Sequence, residues 1–391
     1  MRLERSGRRF LAILVAVVSV FLGAGGGLYG VCGPFTDVAA DAFCSFVLEI
    51  FYLGITTGTT PTTYDPSSNV SRLQMAAFLS RTVDRTLQRG SRRAALNQFW
   101  ASRANLATTT FGQSAVNAPH SVASDGADLW VSSNTLSSVQ RVRASDGKLL
   151  ESWTGALNAA GVLSAMGQIF VAGRTAPGRL YWIDPSKPAG SVVTVSSTLA
   201  SNPVALAFDG SRIFTADNSG AVTIVEPGAT IPWTVTSFSA EFQSPNGILY
   251  DGANIWITDS PAGTLLKLDA NDFFPQTVTV GLQPAAPVFD GSNIWVPNSG
   301  SNSVSVVRAS NLAVLATLTG NGLNNPLVAA FDGQRVLVTN SAGNSLSLWK
   351  AADLTAVGSF STGTSSAPNG ACSDGINFWI ALGGVGKLAR F

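Results

Sequence analysis

Apolar residues fall in short runs along residues 118–391, each bounded by Gly, Asn, Asp, Ser or Pro. Runs such as Ile255-Trp256-Ile257, Ile294-Trp295-Val296 and Val304-Ser305-Val306-Val307 are too short and too rich in β-branched residues for helices, and read as strands. The runs repeat. Asp-Gly followed by a strand ending in an aromatic occurs at Asp125-Gly126 to Trp130, Asp209-Gly210 to Phe214, Asp251-Gly252 to Trp256, Asp290-Gly291 to Trp295 and Asp374-Gly375 to Trp379. Asp332-Gly333 keeps the turn with Leu337 at the aromatic position, and Met166-Gly167 with Phe170 is a degenerate copy shorter by one residue. Six copies carry a proline six residues before the Asp: Pro119, Pro203, Pro245, Pro284, Pro326 and Pro368.

Seven units at a spacing of about 42 residues, each with room for four strands, predict a mainly β protein, a seven-bladed β-propeller of four-stranded blades. The second strand of each unit is apolar on both faces, as a strand sandwiched between neighbouring blades must be. Asp-Gly reads as a tight turn, since Gly accepts positive φ. The last unit stops at Phe391 after its third strand. Ala107-Thr108-Thr109-Thr110-Phe111 with Ala118-Pro119 aligns with Ala356 to Phe360 and Ala367-Pro368. An N-terminal strand is therefore expected to complete the C-terminal blade and leave no open blade edge.

The pattern changes before residue 106. Phe43, Phe46, Val47, Ile50 and Phe51 have helical spacing and predict a helix over Phe43 to Leu53, ended by Gly54. Asp65-Pro66 marks a turn, and Ser71 is an N-cap for a second helix carrying Leu73, Met75, Phe78, Leu79 and Val83. Two such helices bury little surface alone. Residues 31–88 thus form a small helical module, 89–105 a basic linker with Arg89, Arg92, Arg93 and Arg103, and 106–391 the propeller. In residues 1–30, Arg2, Arg5, Arg8 and Arg9 precede an apolar run from Phe10 to Leu22 and then small residues, the order of a signal peptide. That run is short for a membrane span, and no transmembrane span is expected beyond this signal segment.

Composition adds two constraints. Residues 1–105 carry eleven Arg against six acids, whereas 106–391 carry thirteen Lys or Arg against seventeen acids. The propeller is mildly acidic and has no basic stripe, which argues against nucleic acid as a partner. Cys32 and Cys44 can pair in an oxidising compartment, leaving Cys372, which reads as a small buried residue.

Phe35-Thr36-Asp37-Val38, Leu53-Gly54-Ile55-Thr56-Thr57-Gly58, Tyr64-Asp65-Pro66 and Val70-Ser71-Arg72-Leu73-Gln74-Met75 resemble, in order, one S-layer homology (SLH) repeat. Repeats of that family attach proteins non-covalently to cell-wall polymer, through an Arg in a Thr-Arg-Ala-Glu helix start. The resemblance implies a cell-wall polymer or envelope component as partner, with Arg72 as the contact. Ser71, Leu73 and Gln74 differ from the family pattern, and one repeat stands where three are usual. The phrase from Phe289 to Asn298 resembles secreted NHL- and YVTN-type propellers, a group that includes the streptogramin lyases. Those lyases use a His and a Glu with a divalent metal. Here His120 is the sole histidine, and Glu151, Glu226 and Glu241 occupy no equivalent place in the repeat.

Ligands of closed rings bind where loops converge near the axis. The residue after each repeat proline is expected there: His120, Val204, Asn246, Ala285, Leu327 and Asn369, with Gly161 in the degenerate unit. None is a carboxylate, so no metal, cofactor or acid–base pair is expected at that ring. A second ring follows the second strands: Asn134, Asp217, Asn218, Asp259, Asn298 and Asn340. Asp217 and Asp259, in consecutive units, are its best pair for a cation or a sugar hydroxyl. The expected function is that of a non-catalytic extracytoplasmic, envelope-associated protein whose propeller face recognises a protein or glycan, with His120, Asn246, Asn369, Asp217 and Asp259 as candidate ligand contacts. The alternative is an extracytoplasmic lyase or hydrolase of the streptogramin-lyase-like type.

Overall fold

The computed structural model describes residues 32, 34–39, 43–52, 55–89, 109–111, 116, 118–239, 242–269 and 275–391. The expected signal peptide, 1–30, and all of the basic linker except Arg89 lie outside these residues. The chain divides into two compact units, Met1–Gln98 and Phe99–Phe391.

The first unit holds helix α1 (Cys44–Tyr52) and helix α2 (Arg72–Arg89). Cys32 and Cys44 are joined by a disulfide. Beside it, Phe35, Val38 and Val47 form a small core, with Phe51 and Tyr64 against the Phe35 ring at 5.0 and 5.5 Å. The exposed Asp37 carboxylate accepts the backbone N–H groups of Tyr64 (2.8 Å) and Asp65 (2.7 Å), tying the segment after Phe35 to the turn before α2. The Tyr64 N–H bond holds this carboxyl below the usual carboxylate range. Ser71 and Gln74 form a capping box: the Gln74 N–H donates to Ser71 Oγ (3.2 Å) and the Ser71 N–H to Gln74 Oε1 (2.8 Å). Ser71 and Gln74, two of the residues that differ from the resembled pattern, thus satisfy the backbone donors at the start of α2. The module leaves large side chains uncovered, among them Phe43, Phe46, Leu73 and Leu79.

The second unit is a ring of seven four-stranded antiparallel sheets among the described residues. Blade 1 runs from Pro119–Ser124 to Leu149–Thr154, blade 2 from Ala159–Ala165 to Val193–Leu199, and blade 3 from Pro203–Phe208 to Thr234–Phe238. Blade 4 runs from Pro245–Tyr250 to Pro275–Thr279, blade 5 from Val288–Phe289 to Val314–Leu318, and blade 6 from Pro326–Phe331 to Ala356–Ser361. Blade 7 comprises Pro368–Ser373, Phe378–Leu382 and Lys387–Arg390, completed by Thr109–Phe111. That closing strand pairs Thr109 with Arg390, Thr110 with Ala389 and Phe111 with Leu388. Arg390 Nη1 also donates to the Ser145 carbonyl of blade 1 (3.3 Å).

There is no single core. Buried side chains fall into one wedge per pair of adjacent blades: Trp130 of blade 1 packs with Ile169, Val171 and Tyr181 of blade 2, and Trp379 of blade 7 with Val122, Leu129 and Val131 of blade 1. Second strands are buried on both faces, as their apolar runs predict; Asp128–Ser133 is buried throughout. The first strands meet backbone to backbone around the axis. A Cβ on Gly370 would lie 2.8 Å from the His120 carbonyl oxygen, and one on Gly247 would lie 2.8 Å from that of Ala285. At these two positions only glycine fits such an approach without a shift of the neighbouring strand.

The Asp-Gly dipeptides form turns, as expected, with the Gly at positive φ, for example 96° at Gly126 and 99° at Gly291. Each opens a four-residue loop, in which the Asp125 N–H donates to the Asp128 carbonyl (3.1 Å) and the Asp290 N–H to that of Asn293 (3.0 Å). The reason lies in the Asp side chain. Asp125 Oδ1 accepts the N–H groups of Ala127 (2.9 Å) and Asp128 (2.7 Å), and Oδ2 accepts the indole N–H of Trp130 (2.8 Å). The same fork occurs at Asp251–Trp256, Asp290–Trp295 and Asp374–Trp379, with indole bonds of 2.7 Å in each. Where the aromatic position has no N–H, an arginine supplies it: Arg212 Nε donates to Asp209 (2.8 Å) beside Phe214, and Arg335 Nε to Asp332 (2.9 Å) beside Leu337. Degenerate blade 2 has no such Asp and makes the tighter turn, with Met166 and Gly167 at φ 54° and 68°.

Candidate functional site

The two faces of the ring differ. Each first strand begins, each second strand ends and each third strand begins on one face, here the proline face; the Asp-Gly loops and the third-to-fourth turns lie on the other. The residue after each proline therefore sits on the proline face, near the axis where first strands touch. His120, Asn246 and Asn369 are all half-buried there. Asn246 Nδ2 donates across to the Pro284 carbonyl of the next blade (3.4 Å). Asn369 lies against Gly383, which also approaches the Pro119 carbonyl of blade 1. His120 titrates below its ordinary value: burial opposes the charge, and so does the nearby Arg174.

Asp217 and Asp259 require a correction. Both are essentially buried, at 0% and 1% exposure, so their carboxylates do not form an open pair for a cation or a sugar hydroxyl. Asp259 accepts the N–H groups of Gln243 (2.7 Å) and Ser244 (2.8 Å), clamping the loop that leads to Pro245. Asn298 and Asn340 clamp their own loops in the same way, accepting the Gly281 (3.1 Å) and Asn324 (3.3 Å) N–H groups. Asp217 is different: Thr215 Oγ1 (2.8 Å) and Thr223 Oγ1 (2.6 Å) donate to it. With neutral hydroxyls as its side-chain donors, burial pushes its pKa up to about 7. The reason is spatial: the residue ends a second strand, where the incoming loop covers it.

Arg72 is the first residue of α2 and is exposed, beyond the capping box. Cys372 is half-buried in the first strand of blade 7, and burial raises its thiol pKa, so it is not a ready nucleophile. Among the described residues, no three His, Cys, Asp or Glu side chains converge as metal ligands. Between blades 4 and 5 lies a shallow groove of about 280 Å³ bordered by Thr279, Ser301, Ser303, Ser305 and Thr317, without a charged group.

Comparison with known proteins agrees with both parts of the chain. Residues 34–76 match the S-layer homology domain. Solved structures similar to the ring include a streptogramin B lyase, at 14% identity and TM-score 0.60, covering 72% of this chain and 96% of that one. A catalytically inactive virginiamycin B lyase from Staphylococcus aureus with quinupristin has 13% identity and TM-score 0.61, covering 72% and 98%. Kuenenia stuttgartiensis hydrazine synthase has 15% identity and TM-score 0.60, covering 72% and 97%. Identities this low establish a shared fold and leave chemistry open. No curated protein matches the chain. The SLH match implies association with the cell surface or envelope, and no described helix is long and apolar enough to cross a membrane.

Two features escaped the sequence reading. The Arg212 and Arg335 substitutes for the indole N–H are visible as Arg three residues after Asp, in the two Asp-Gly copies that lack Trp. Arg174 beside His120 belongs to a different part of the repeat and has no sequence signal linking the two.

Proposed function

We propose that this is a non-catalytic, extracytoplasmic recognition protein, held at the cell envelope by its SLH module and binding a protein or glycan on the proline face of its ring. The SLH match over residues 34–76 carries the reading. It is supported by Arg72, exposed at a helix start whose capping box is intact. On the ring, the half-buried polar groups near the axis are His120 and two carboxamides, a set suited to hydrogen bonding rather than to acid–base exchange.

Sedimentation of the full chain with purified cell walls tests the anchoring. Retention is expected, with Arg72→Ala lowering it several-fold; retention unchanged by Arg72→Ala removes that residue from the contact. Metal-dependent turnover of a streptogramin by the purified protein, lost in His120→Ala, would replace the binding role with lyase chemistry.

A further inference from the structure

Charge is segregated between the faces of the ring. The Asp-Gly face holds Asp125, Asp209, Asp251, Asp290, Asp332 and Asp374, and the turn residues Asp146, Asp184 and Asp353. Most of the ring's Lys and Arg side chains lie toward that face too, several in ion pairs such as Arg143–Asp146, Arg212–Asp209 and Arg335–Asp332. On the proline face the only carboxylates among the described residues are Asp217 and Asp259, and both are sealed. The cationic and titratable groups left there are Lys387 at the start of the third strand of blade 7, His120 in blade 1, and Arg174 and Arg179 in blade 2. Blades 7, 1 and 2 are consecutive, so these groups share one arc.

The surroundings of Lys387, Arg174 and Arg179 leave their charge available, while His120, whose charge burial and Arg174 oppose, offers a hydrogen-bonding ring. None of the four is in an ion pair among the described residues. Arg174 is half-exposed, and its charge acts on His120. The Arg179 charge acts on the Tyr181 phenol. Asn369, in the first strand of blade 7 as Lys387 is in its third, lies against Gly383, which also approaches the Pro119 carbonyl of blade 1, and brings an amide donor. Overall acidity of the ring conceals this, because among the described residues the unsealed carboxylates lie away from the proline face.

We propose that the arc formed by Lys387, Asn369, His120 and Arg174 binds an anionic group, carboxylate or phosphate, of a glycan. This inference rests on the recognition role proposed above and narrows its ligand class. A glycan fits better than an extended nucleic acid, because four groups on one arc cover a few charges and not a long phosphate track. Arg174 supplies a planar two-pronged donor suited to either oxyanion, and Lys387 a second positive charge.

The test uses the full chain and fluorescent oligosaccharides: oligogalacturonate for carboxylate, a mannose-6-phosphate oligomer for phosphate, and neutral dextran. At least one charged probe is expected to bind, weakening as salt rises, while dextran does not bind. Arg174→Gln and Lys387→Gln should each weaken binding about tenfold or more, whereas Arg308→Gln, toward the Asp-Gly face, should not. Melting curves confirm that each variant is folded. Equal binding of dextran, or equal loss in Arg308→Gln, overturns the inference. Dextran binding lost in Asn369→Ala but kept in Arg174→Gln overturns the anionic ligand and leaves the recognition face standing. Binding of a random single-stranded DNA more tightly than either charged glycan also overturns it.

Discussion

At the scale of single residues, each Asp of the repeat is a fork that organises its blade. One oxygen orders the loop and the other holds the strand's indole or guanidinium. Burial by itself would raise Asp125 and Asp251; the indole and backbone donors outweigh it and keep both below the usual carboxylate range. The exchange of Trp for Arg in blades 3 and 6 gives a quantitative expectation. Trp256→Phe removes a hydrogen bond to a charged group and should cost about 1.5–3 kcal/mol. Adding Asn254→Arg recreates the Arg212–Asp209 arrangement and should recover part of that loss. Thermal melts of the two single variants and the double variant measure the coupling; strictly additive losses would show that the arginine does not take over the role.

Asp217 makes the opposite electrostatic statement. Its folded pKa of about 7 lies above the unfolded carboxylate value, so its native form holds a proton that the unfolded chain releases. Its contribution to stability is therefore present in acid and lost as pH rises toward 7. Asp217→Asn, which copies the residue found at this position in blades 5 and 6, should raise the melting temperature at about pH 8 by several degrees, with the gain fading below about pH 4. A gain that is the same at both pH values would assign the effect to something other than ionisation. His120 also sits off its ordinary value, in the direction that penalises protonation. It should make the ring less stable as pH falls below the ordinary histidine range, and His120→Gln should remove that part of the pH dependence.

Among the elements, the closing strand and the helix cap have the clearest consequences. Thr109–Phe111 supplies the fourth strand of blade 7. Without it Lys387–Arg390 becomes an unpaired edge, and the wedge between blades 7 and 1 loses support. Deletion of residues 106–112 should destabilise the whole ring in one transition; an unchanged melting temperature would mean the strand is dispensable. In α2, Ser71→Ala removes half of the capping box and should cost about 1 kcal/mol of helix stability, read as lost helical circular dichroism on warming.

Over the whole molecule, much of the architecture was legible because it repeats. Pro, Asp-Gly and Trp mark the same places in successive blades, and the unmatched last unit announced its missing strand. Ser71 likewise signalled the start of α2. What could not be read was the solvent exposure of unique residues. Asp217 and Asp259 have the composition of a ligand pair, but strand ends on the proline face are covered by incoming loops, and no periodicity reveals that cover. The cationic arc was hidden for a different reason. Lys387, His120 and Arg174 come from three different positions of the repeat, so only closure of the ring brings the first and last blades to either side of one another.

Closure by an N-terminal strand also sets how the ring meets mechanical load. The SLH module precedes Thr109 in the chain, so any tension between an anchored module and a ligand-bound ring enters the propeller through Thr109–Phe111. Among the described residues that strand pairs through Thr109, Thr110 and Phe111 with Lys387–Arg390. It is the seam at which a tethered ring would part first, and pulling on the N terminus should open blade 7 at a lower force than pulling on the C terminus, where Phe391 is bonded in both directions to the Phe378 backbone.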